Sequence, residues 1–125
     1  MKLRVPVWIT VALLVLAAVG CSFFTGPTAV RLDTPARHVA NGMTLLDNQK
    51  TDAALREFRR ALELDATYSP AWVGLGLAYG QQGNPLKGLS HLQNARKYAQ
   101  GPEQQRQVEE AYQRLQAMPA DPGKN

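Results

Sequence analysis

Trp72-Val73-Gly74-Leu75-Gly76-Leu77-Ala78-Tyr79, followed by Gly88, Leu92 and Ala95, is the stretch that decides how this chain folds. Set back by 34 residues, the pattern returns as Gly42, Leu45, Ala54, Phe58 and Ala61. A fixed period of this length marks a stacked repeat, because one unit cannot bury its apolar face alone. The small residues have a packing reason. Gly42 and Gly76 let paired helices cross closely, and Ala54, Ala61 and Ala95 leave room for Phe58 and Leu92.

Working outward, each half of the period reads as a helix. Thr34 caps and Pro35 opens the first, where a missing N–H costs nothing. Val39, Met43 and Leu46 follow at helical spacing, and Asn48-Gln49-Lys50 turns the chain. Thr51 is the predicted cap of a second helix, with Ala54, Leu55, Phe58, Ala61 and Leu62 as one continuous stripe. Ser69-Pro70 repeats the Thr34-Pro35 start. The third helix is apolar on more than one face, as a helix buried between neighbours should be. Gln82-Gly83 ends it, and Asn84-Pro85 starts the fourth, carrying Leu89, Leu92 and Ala95. After Gln100-Gly101-Pro102 a fifth helix carries Val108, Ala111, Tyr112 and Leu115 among Gln, Arg and Glu. That composition suits a cap with a polar outer face.

The Trp72-x-x-Leu75-Gly76-x-x-Tyr79 run, with its small-large-small continuation, resembles the tetratricopeptide repeat. The resemblance implies an all-α fold of two antiparallel helix pairs plus a capping helix, in a short right-handed solenoid. The repeats fall at about 35–68 and 69–100, the cap at 103–117, and a fraying tail at 118–125. The first repeat departs from the pattern, with His38 and Asn41 in place of the usual aromatic residue and leucine. In this family the first helix of each pair lines a groove that binds protein segments. Carried over by position, the lining is Val39, Met43, Leu46 and Asp47, then Val73, Gly74, Leu77, Gly80 and Gln81. Val39, Met43 and Gly74 stand where some members carry the Lys and Asn residues that hold a terminal carboxylate. The groove is therefore apolar, suited to an amphipathic helix or an extended apolar peptide. Gly74 and Gly80, on the predicted groove face, imply a close approach to the backbone, by a ligand or by the chain's own tether or cap. Two repeats are few for a stable stack, which leaves three outcomes open: a marginal domain, self-association, or docking on a partner that completes the stack.

The start of the chain reads differently. Lys2 and Arg4 precede an apolar run from Val5 to Val19, too short for a membrane span of about 20 residues. It ends Leu16-Ala17-Ala18-Val19-Gly20-Cys21-Ser22, which resembles the lipobox of bacterial lipoproteins. The resemblance implies a signal over 1–20, a lipid on Cys21, and a flexible tether over 21–34. Ser22 rather than Asp after the cysteine implies the outer membrane of a Gram-negative cell, facing the periplasm. Extended, Ser22 to Thr34 would reach roughly 45 Å. Cys21 is the one cysteine, so no disulfide forms within the chain.

Charge and motif content bound the chemistry. The formal charge of +4 includes Lys2 and Arg4; without them 12 basic residues face 10 acidic ones, a net +2. Arg56, Arg59 and Arg60 lie among Glu57 and Glu63 and read as a solvated helix face, so nucleic acid is not an expected partner. His38 and His91 have no metal-ligand or nucleophile spacing around them, and no phosphate loop or serine-hydrolase motif occurs. No enzyme activity, cofactor or metal is expected. The reading is a membrane-anchored protein-interaction scaffold. Resemblance to repeat lipoproteins implies assembly of a pilus, a secretion machine or outer-membrane proteins. The alternative is an accessory subunit that positions a peptidoglycan enzyme.

Overall fold

The computed structural model describes residues 33–119 and 123. The predicted signal, Cys21 and the tether up to residue 32 lie outside the described residues, as does most of the predicted tail. Among the described residues five helices follow in order: α1 Pro35–Asp47, α2 Thr51–Leu64, α3 Ser69–Gln81, α4 Pro85–Tyr98 and α5 Gly101–Gln116. There is no strand among the described residues, and none of their helices is long and apolar enough to cross a membrane. The architecture is the TPR-like one: α1 packs on α2, α3 on α4, and α5 closes the stack against α3 and α4.

α3 is the centre. It touches all four other helices, and nine of its thirteen residues are buried. This is the physical content of its two-faced hydrophobicity: one face meets α1 and α2, another meets α4, and its C-terminal end meets α5. Phe58 of α2 is fully buried and presses its ring against both Gly42 and Gly74, so a single side chain fills the space between α1 and α3. Leu92 plays the matching part in the second pair, against Gly76. There the backbones themselves come together, since a methyl added at Gly88 would stand 2.6 Å from the Gly76 carbonyl oxygen. Burying each such Leu or Phe is worth about 1.5–3 kcal/mol relative to leaving it in water.

The helix starts differ from expectation in three places. Thr34 does cap α1, its hydroxyl accepting from the Arg37 N–H at 3.4 Å, and Asn84 caps α4 through the Lys87 N–H at 3.0 Å. Ser69, in the same Ser/Thr-Pro signal, does not cap. It is buried, and its hydroxyl donates to the Ala95 carbonyl at 2.8 Å, tying α3 to the last turn of α4. A buried hydroxyl needs a partner, and the Ala95 carbonyl supplies it. Thr51 likewise lies inside α2, and its hydroxyl donates to Gln81 instead of capping. α5 starts at Gly101, two residues earlier than predicted. Met118, assigned by sequence to the tail, packs against Gly80. Between α3 and α4, Gly83 at φ +80° makes the left-handed turn that a side chain would strain.

Candidate partner-binding trough

Along one side of α3 runs a trough of about 280 Å³. Its floor is Pro70, Val73 and Leu77, spaced at i, i+3 and i+7 so that all three face one way. Val39 and Met43 of α1 form one wall; Gln107, Glu110, Ala111 and Arg114 of α5 form the other. α1 and α5 do not touch each other. At about 30 Å³ per water, the trough holds roughly nine waters, or two to three apolar side chains.

The repeat period explains the lining. Val39, Val73 and Gln107 occupy equivalent places 34 residues apart, and so do Met43, Leu77 and Ala111. Arg114 is the third member of the series Leu46, Gly80, Arg114. The helices α1, α3 and α5 therefore lie side by side in parallel, and Arg114 closes the trough at its C-terminal end. Gly80 meets Leu115 at that same end.

Of the residues predicted to line a groove, Val39, Met43, Val73 and Leu77 do line the trough. Leu77 is its floor and is itself 1% exposed. The other five stand elsewhere. Leu46 is buried in the core. Gly74 is covered by Phe58, and Gly80 by Leu115 and Met118, so the close approach signalled by these glycines comes from the chain's own side chains and not from open space. Gln81 is spent internally: its amide donates to the Leu46 carbonyl at 3.2 Å and accepts from Thr51. Asp47 is exposed at the end of α1, outside the trough. Pro70 and the α5 wall were missed by sequence. Carrying the 34-residue period forward once more, from Val73, Leu77 and Gly80, reaches Gln107, Ala111 and Arg114.

Two histidines sit away from the trough in contrasting settings. His38 places Nδ1 2.8 Å from Glu57 and Nε2 against Asp33, which also pairs with Arg60. Carboxylates only accept, so both ring nitrogens donate and the ring is an imidazolium. The hydrogen bond to Asp33, then that to Glu57, raises the His38 pKa. The His38 bond, then the Arg60 bond, lowers that of Asp33. His91 lies between Tyr79 and Trp72, with ring centroids 5.0 Å and 5.8 Å away. Its Nδ1 is buried without a hydrogen-bond partner. Burial, then nearby Lys87 and Arg59, lowers its pKa and so favours the neutral ring. Among the described residues no group of His, Cys, Asp and Glu is arranged to hold a metal ion.

A family model described as TPR repeat matches residues 42–83. The match spans α2, α3 and the second half of α1, and so includes Met43, Pro70, Val73 and Leu77 of the trough. TPR repeats are in general interaction modules without catalysis, and the match points to a protein partner. α4 and α5 lie outside the matched residues, and their place in the repeat architecture rests on the packing described above. Searches of curated proteins and of solved structures found no match to the chain.

Proposed function

We propose that this chain is a lipid-anchored adaptor of the bacterial envelope whose TPR domain captures an apolar or amphipathic segment of a partner protein during assembly of an envelope machine. The observation that carries the reading is the trough. Val39, Met43, Pro70, Val73 and Ala111 offer apolar surface in a concave site with a TPR repeat beneath it. Apolar segments laid into such a groove are a common mode of peptide recognition. The anchor reading rests on Lys2, Arg4, the short apolar run and Cys21. A lipid at Cys21 would hold the trough within a tether's length of one membrane face. Partner capture would then benefit from effective concentration without added contacts.

The test is site-specific photocrosslinking in cells that express the full chain. The crosslinker goes at Val73 on the half-buried floor, with exposed Arg56 on α2 as control. Capture of one envelope protein from Val73 and not from Arg56, weakened when Cys21→Ser blocks lipidation, is the expected result. Equal capture from both positions would defeat the trough. Capture of the chain itself would replace the adaptor with a self-associating stack. Unchanged membrane fractionation and no palmitate incorporation difference between the wild type and Cys21→Ser would defeat the anchor.

A further inference from the structure

The trough is apolar along its floor but ends on a cation. Glu110 and Arg114 are four residues apart on α5, the spacing at which a glutamate and an arginine pair along a helix. They do not pair. Glu110 turns the other way, to Arg106 at 2.9 Å, and Arg106 also holds Glu103 at 2.8 Å. The charges on this face of α5 cancel in sum, yet Arg114 has no ion-pair partner among the described residues. It is also the one cationic residue among those lining the trough. Its counterparts in register are Gly80 and Leu46, and one turn toward the helix N-termini the trough is lined by Leu77 and Met43.

We infer that the segment taken by the trough carries an Asp or Glu side chain next to its apolar residues, and that this carboxylate pairs with Arg114 at the C-terminal end of the trough. The inference rests on the trough being the partner site. Arg114 is exposed at the rim of the trough, where its guanidinium can reach a carboxylate on a segment lying along the apolar floor and form a charge-assisted hydrogen bond. A phosphate would call for several cations; here there is one. The acidic residue lies at the Leu77 end and the apolar residues extend toward Val39 and Pro70.

The experiment selects peptides from a phage-displayed library of random dodecapeptides on the full chain held in detergent micelles. Selection is run on the wild type, on Arg114→Gln and on Val73→Asp, with circular dichroism confirming that each variant is helical. The expected result is enrichment of peptides with aliphatic residues beside an Asp or Glu. The acid preference is lost on Arg114→Gln, and all enrichment is lost on Val73→Asp. Resynthesis of a selected peptide with its acid replaced by the amide should weaken binding about threefold to the wild type and leave binding to Arg114→Gln unchanged. That factor corresponds to one solvent-exposed ion pair. Aliphatic peptides enriched without an acid, and lost on Val73→Asp, would overturn the inference and leave the trough as the partner site. No enrichment on the wild type, or peptides indifferent to Val73→Asp, would overturn both.

Discussion

Positions 38 and 57 of the first helix pair hold a histidine and a glutamate; 34 residues on, positions 72 and 91 hold a tryptophan and a histidine. The two slots are equivalent in the repeat, yet one is filled by a charged hydrogen bond and the other by an aromatic stack. In the first pair, at the open edge of the stack, the His38 and Glu57 side chains keep 17% and 30% of their surface in water. An ion pair survives there because desolvation is incomplete. In the second pair the His91 Nδ1 is buried, Trp72 lies over the ring, and the indole N–H donates to the Ala66 carbonyl at 2.9 Å. The repeat dictates which residues meet, and the degree of burial dictates which chemistry suits the meeting.

The strongest way to sharpen this comparison is to empty the cores. Phe58 seals α1 to α3 and Leu92 seals α3 to α4, both fully buried. Phe58→Ala should cost about 3–5 kcal/mol and Leu92→Ala about 2–5 kcal/mol, read as shifts in denaturant midpoint. Two separate transitions in either variant would mean that the pairs unfold independently and that the comparison concerns two units rather than one stack.

A smaller effect is expected from Gly88→Ala. Alanine gains about 1 kcal/mol of helix propensity. The added methyl nevertheless meets the Gly76 carbonyl, and backbone cannot swing aside. A net loss of about 1–3 kcal/mol should result from overpacking. Gly80→Ala should be milder, because its methyl meets the flexible ends of Leu115 and Met118. If Gly80→Ala proved the worse of the two, the close approach of α3 to α4 would not be the constraint assigned here.

The two histidines should respond to pH in opposite senses. His38 has its pKa raised from 6.5 in the fold, so its contribution is full below 6.5 and is lost as pH rises through the raised value. The stability gap between the wild type and His38→Gln should therefore be widest at acid pH and close on the alkaline side. His91 has its pKa lowered from 6.5, so its contribution is present above 6.5 and lost as pH falls through the lowered value. His91→Phe, which keeps a ring in the stack, should remove that acid-side loss. Thermal unfolding across pH 5 to 8.5 checks both, and parallel curves for the two variants would break the contrast. The smallest change expected is for Glu57→Gln on the alkaline side of the raised His38 pKa, where the proton that Glu57 holds is gone and little remains to be lost.

Much of the fold was legible because its signals are local or periodic. Gly42, Phe58, Gly76 and Leu92 reveal the period, and Pro35, Pro70, Pro85 and Pro102 mark four of the five helix starts. What was not legible depends on neighbours distant in sequence. Thr34-Pro35 and Ser69-Pro70 read alike, but only burial beneath Ala95 tells that the second hydroxyl must face inward. The glycines at 74 and 80 announced a close approach, and nothing in one sequence distinguishes an approaching ligand from an approaching Phe58 or Leu115. The α5 wall escaped because Gln107, Glu110 and Arg114 are polar and read as an outer surface. A helix that caps a stack can still lend one edge of its polar face to the concave side.

The ring of Phe58, held between Gly42 and Gly74, has a genetic consequence. Three positions on three helices share one volume, so their substitutions cannot act independently. A methyl added at Gly42 or Gly74 collides with the ring in the native background, and a shorter side chain at 58 makes room for it. Gly42→Ala should therefore be costly alone and much less so in combination with Phe58→Leu, a sign of epistasis at this node. Adapting the first repeat then requires paired changes, whereas the walls of the trough, which do not touch each other, can change one residue at a time.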